Sequence, residues 1–106
     1  MKRKLIYRPD ALADLNAVED YTRRTWDNDQ ARRYAAALVA DIKALRSSAL
    51  RHPLYGDILP GLRRKRSGMH HIYYLASKDS VEVLIILHVQ RDPGQHLKVE
   101  RWEDEG

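Results

Sequence analysis

The sequence contains no cysteine, which excludes a disulfide framework and a thiolate metal site. No apolar run reaches the length of a membrane span. The basic start, Met1-Lys2-Arg3-Lys4, is not followed by the apolar segment of a secretory signal, so a cytoplasmic location and no membrane partner are expected. Internal repeats and low-complexity segments are absent. The histidines show no metal spacing: His70 and His71 are adjacent, and on a strand they would point to opposite faces. No metal and no cofactor is expected.

What is present fits one domain. A chain of 106 residues buries roughly 60–70% of the surface its unfolded form exposes. An apolar content of 43% excludes wholesale disorder, and 32% charged residues exclude a membrane class. A net charge of +4 with pI ≈ 9.5 permits nucleic acid or an acidic protein as partner and selects neither.

Residues 81–90 form the longest apolar run, bounded by Lys78-Asp79-Ser80 and by Arg91-Asp92-Pro93-Gly94. The run reads as a buried strand. Strict alternation places Val81, Val83, Ile85, Leu87 and Val89 on one face, and Glu82, Leu84, Ile86, His88 and Gln90 on the other. Leu84 and Ile86 show that the second face is also covered, which makes this the central strand.

Upstream, residues 2–8 alternate and predict a strand ended by Pro9. Proline suits a first helical position, although Arg8 is a poor cap and weakens the start by about 1 kcal/mol. Residues 9–26 carry a helical stripe of Ala11, Leu15, Val18, Thr22 and Trp26, flanked by Leu12 and Tyr21. Asp27-Asn28-Asp29 is a break and a fresh cap. Residues 29–49 repeat the pattern with Ala31, Tyr34, Ala35, Leu38, Ile42, Leu45 and Ala49, and the short connection predicts an antiparallel helical hairpin. A loop follows to Gly61. Strands are then expected at 62–66, 69–76 and 81–90, as a meander.

The order β-α-α-β-β-β is α+β, with the hairpin over one face of the sheet. The domain is placed at 1–92, and 93–106 is expected to be a loosely ordered polar tail. Nothing in this layout covers Leu84 and Ile86, so they are expected to form an exposed apolar interface. Tyr73 and Tyr74 should divide between the core and that bare face. His88 is expected to be hydrogen-bonded at the sheet end. Asp14 and Asp20 lie on opposing sides of their helix and read as solvated charge. Arg64 and Arg66 read as charges guarding an edge strand. Trp26 should seal the end of the hairpin, while Trp102 has no evident role.

This order and four residue clusters resemble the ParE/RelE superfamily of toxins from type II toxin–antitoxin pairs, and the ParE branch in particular. The first cluster is Pro9-Asp10-Ala11 followed by Asp14, Leu15, Val18, Tyr21 and Trp26. The second is Ala31 with Tyr34. The third is Pro53 and Gly56 with Gly61-Leu62-Arg63. The fourth is Ile72-Tyr73-Tyr74 with Val83, Leu84, Ile86, Leu87, His88, Arg91 and Asp92. Arg8 and Ile85 depart from the pattern, where many relatives have Ser or Thr and Arg respectively.

The resemblance implies a growth-arresting toxin neutralised by a ParD-like antitoxin and acting on DNA gyrase, without catalysis of its own. Arg63, Tyr73, Tyr74, Leu84, Ile86, His88 and Arg91 are the partner-binding candidates, with Asp92 as a candidate ion-pair partner for Arg63. The alternative is a RelE-like mRNA endoribonuclease acting at the ribosome. That chemistry needs cations on the phosphorane and an acid–base pair near the 2′-OH, for which Arg63, Lys65, His71, Arg91 and His96 are the candidates.

Overall fold

The computed structural model describes residues 2–97. Chain order is β1 (Lys4–Tyr7), α1 (Pro9–Thr25), α2 (Asn28–Ser48), β2 (Arg63–Ser67), β3 (His70–Ala76) and β4 (Ser80–His88), with short 3-10 turns at Ala49–Arg51 and Pro93–Gln95. The expected α+β arrangement is therefore present. One four-stranded sheet runs β1-β4-β3-β2, with β4 inside. β1 pairs parallel to β4, while β3 pairs antiparallel to both β4 and β2.

Local chemistry sets the helix boundaries. Pro9 opens α1, and Arg8 gives no side-chain cap. Asp27 caps α2, its carboxylate accepting the Gln30 amide at 2.7 Å. The buried stripes match the period, with Ala11, Val18 and Thr22 on α1 and Ala31, Leu38, Ile42 and Leu45 on α2. Trp26 packs edge-on against Tyr34 at 5.6 Å, at the end of the hairpin.

Strict alternation fails inside β4. Tyr73 pairs with Ile85 and Tyr74 with Val83, so Leu84 is an extra residue, a β-bulge. Val81, Val83 and Ile86 pack with the helices, whereas Leu84, Ile85 and Leu87 pack on the opposite face. The expected face assignment therefore holds only up to the bulge.

The opposite face is not bare. Tyr55, Ile58, Leu59 and Leu62 from the loop before β2 cover it, together with Leu97. Leu54 bridges to Arg63, and the Tyr55 amide donates to Leu62 O at 2.8 Å, folding the loop back over the sheet. Leu84 and Ile86 are 1% and 3% exposed, so the expected patch does not exist on the isolated chain. The tail expectation is likewise corrected for its first residues, because Pro93 and Leu97 are buried. The remainder of that tail, including Trp102, lies outside the described residues.

Candidate partner-binding groove

β1 is short. It pairs with β4 only from Ser80 to Val83, and Pro9 then turns the chain into α1. The next length of β4 therefore faces a helix instead of a strand. Backbone groups there still need partners, and Asp14 supplies one: its carboxylate accepts the Ile86 amide at 3.0 Å. Asp14 is thus half-buried, contrary to the expectation of solvated charge. Its position gave the signal, three residues after Ala11 and four before Val18, which lies on the inward stripe.

Between α1 and this part of β4 runs a groove of about 650 Å³. Ala17, Val18 and Ile86 line it with apolar surface, and Tyr21, 62% exposed, stands at its side. Asp14, His70, His88, Arg91 and His96 bring the polar groups. Burial is the main influence on Asp14 and raises its carboxyl; Asp10 adds to this, while the Ile86 hydrogen bond and His96 oppose it.

His70 opens β3 directly opposite His88, and their rings meet edge to face at 5.6 Å. Tyr34 of α2 holds His70, with its Oη 2.6 Å from Nδ1. The same Oη accepts the Met69 amide at 2.9 Å. Burial, followed by His88 and His71, lowers the His70 pKa. His88 Nδ1 accepts the Gln90 amide at 3.2 Å. His88 is thus hydrogen-bonded at the sheet end as expected, to an amide and not a carbonyl. Among the described residues, no group of three or more His, Cys, Asp or Glu side chains is placed to hold a metal ion.

The other sequence candidates scatter. Tyr73 and Tyr74 are both fully buried, so neither is offered to a partner. Tyr74 Oη donates to Ala49 O at 2.6 Å. Tyr73 lies on the opposite face against Tyr55, with its Oη buried and without a hydrogen-bond partner in good geometry. Arg63 and Lys65 pair with Tyr74 and Ile72 of the helix-side core. Arg63 donates to His52 O at 2.6 Å, in place of the expected pairing with Asp92, whose side chain instead accepts the Gly94 amide.

His71 lies on the other side of the sheet, where burial and then Arg64 and Arg66 lower its pKa. Arg64 stacks over Tyr55 at 4.1 Å, so it is a packing residue as well as an edge charge. The proposed ribonuclease set is thus divided. Arg63 and Lys65 are on one face, His71 is on the other, and Arg91 and His96 are in the groove.

The model of the ParE toxin of type II toxin–antitoxin systems, parDE, matches residues 5–93. The chain belongs to this family. It is 33% identical over 88 residues to the toxin ParE of Escherichia coli, an alignment covering 82% of this chain and 85% of that one. It is 32% identical over 91 residues to ParE1 of Caulobacter vibrioides, covering 82% and 90%. Its fold is similar to a chain of the chromosomal ParDE system of P. aeruginosa, with TM-score 0.73 and 20% identity, covering 84% of this chain and 98% of that one. As a ParE family member, this protein takes the description of a type II toxin. The groove between α1 and β4 is a concave, part-apolar feature of the described residues.

Proposed function

We propose that this ParE-family toxin is neutralised by a ParD-like antitoxin whose chain lies in the groove between α1 and β4, and that the free toxin acts on DNA gyrase. The observation that carries the antitoxin half is the groove itself. It combines an apolar floor of Ala17, Val18 and Ile86 with a rim of Asp14, His88, Arg91 and His96. Apolar grooves with a few polar groups suit an amphipathic helix or an extended segment. The gyrase half rests on family membership.

A binding role is favoured over RNA cleavage because the residues needed for cleavage do not converge on one point. Co-expression with the product of the adjoining reading frame tests the antitoxin half. A stable complex that lifts growth arrest is expected, and Ala17→Arg or Val18→Arg on the groove floor should abolish it. Normal supercoiling by purified gyrase in a large excess of folded toxin would remove the gyrase half. Cleaved message in a defined translation assay would reinstate the ribonuclease.

A further inference from the structure

Donor accounting assigns the tautomer of His88 but not that of the facing His70. The Gln90 backbone N–H can only donate, so His88 Nδ1 is the acceptor and the His88 proton resides on Nε2. Tyr34 Oη accepts the Met69 N–H and also meets His70 Nδ1, where either atom can donate. With the shared proton on Tyr34 the His70 proton sits on Nε2; with it on His70 Nδ1, Nε2 is open to a second proton. Neither Nε2 has a hydrogen-bond partner among the described residues. Two imidazoles, each with an unpartnered Nε2, therefore meet edge to face in the groove, with the exposed Arg91 lining the same groove.

We propose that His70, His88 and Arg91 form an anion-receiving end of the groove that takes a carboxylate side chain of the antitoxin, and that this contact tightens as the pH falls. The inference rests on the antitoxin reading above. The net charge of +4 favours an acidic partner in the same sense. An anion beside two imidazoles favours their charged forms; charged His70 donates from Nδ1 to Tyr34 Oη and from Nε2 to the anion, whereas charging His88 on Nδ1 gives up the Gln90 amide, which the bound anion must offset. In the free chain, burial and neighbouring histidines hold His70 toward its neutral form, so the bound anion reverses that balance.

The other titratable and charged groups around the pair are Tyr34 on α2, Asp14 and Tyr21 on α1, and His96 beyond β4. His71 acts from the far side of the sheet. Asp14 is occupied with the Ile86 amide. The pair and Arg91 therefore meet the ligand as donors.

The test uses the toxin with its co-purified antitoxin. If each bound imidazole rises by one pKa unit, affinity between pH 8 and pH 6 increases by up to about tenfold per histidine. His88→Arg should bind well with a flatter pH profile, because the donor stays and the titration goes. His88→Glu should bind far more weakly. In the wild-type complex, NMR titration should show the midpoints of the His70 ring protons above those of the free chain.

Unchanged midpoints, or a His88→Glu variant that folds and binds normally, would overturn the anion site while leaving the antitoxin reading intact. Failure of any antitoxin to bind would remove both.

Discussion

The Asp14 carboxylate accepts the Ile86 amide at 3.0 Å, joining the first helix to the part of the central strand that β1 does not reach. It ties α1 to the groove's inner wall, which the β3 ladder also holds. Asp14→Ala should therefore destabilise the fold by about 1–3 kcal/mol, the usual penalty for leaving a half-buried amide without its acceptor. Chemical denaturation at neutral pH measures this.

The same residue gives a pH dependence. Burial raises the Asp14 carboxyl above its ordinary 3.8, so the folded protein holds that proton more tightly than the unfolded chain. By linkage, the stabilising contribution is greatest below the ordinary carboxylate value and is lost as pH rises through the folded value. Asp14→Asn removes the titration. Wild type should gain on Asp14→Asn as the pH is lowered from 7 toward 4, as read from paired urea melts.

Tyr74 provides an alkaline counterpart. Its hydroxyl donates to Ala49 O at 2.6 Å, and burial pushes its pKa up to about 12 from the ordinary 10.0. The unfolded chain thus ionises first, so this contribution is full below pH 10 and is lost as pH rises toward the folded value. Tyr74→Phe should lose about 1–3 kcal/mol at neutral pH by stranding the Ala49 carbonyl. It should also show a shallower decline in melting temperature above pH 10.

Two glycines with similar backbone angles should respond differently. Gly56 has φ +63 and nothing within 4 Å of an added Cβ, whereas at Gly68, φ +59, that Cβ would lie 2.8 Å from Tyr34 Oη. Both positions are left-handed, a conformation that costs an L-residue roughly 1–2 kcal/mol. Gly68→Ala must in addition displace Tyr34, which anchors both Met69 and His70. Thermal melts should show a clearly larger loss for Gly68→Ala than for Gly56→Ala, with the His70 resonances perturbed only in the former.

Leu97 is 2% exposed and packs with Leu62, Tyr73, Leu84, Ile85 and Leu87. Leu97→Ala should destabilise by about 2–5 kcal/mol, as for a core leucine. A polar surface tail would show no measurable change.

Much of the fold was legible from the sequence. The helical stripes needed only period 3.6, and Ala11, Val18, Leu38, Ile42 and Leu45 are buried where that period places them. The central position of β4 followed from its apolar run. The bulge did not follow, because alternation assumes an unbroken ladder. The unbroken apolar series from Val83 to Leu87 carries no mark of it, since a regular strand covered on both faces gives the same run.

The cover over the second face was missed for a related reason. The turn residues Gly56, Pro60 and Gly61 marked 54–61 as a loop, and the apolar Tyr55, Ile58 and Leu59 inside it drew no attention. Part of the groove is within reach of the sequence: Ile86, His88, Arg91 and His96 are among its candidates, whereas Asp14 reads as solvated charge and His70 has no site role. Asp14 needed its helical phase taken seriously, and His70 needed the long-range pairing with Tyr34, which no local pattern encodes.

The extra residue in the central strand has a further effect on how damage would be felt. Because Leu84 changes the phase of the ladder, two immediate neighbours report to different compartments: Ile85 to the loop side and Ile86 to the helix side. Lesions one position apart should thus disturb different parts of the molecule, and of the two only Ile86 lines the groove between α1 and β4.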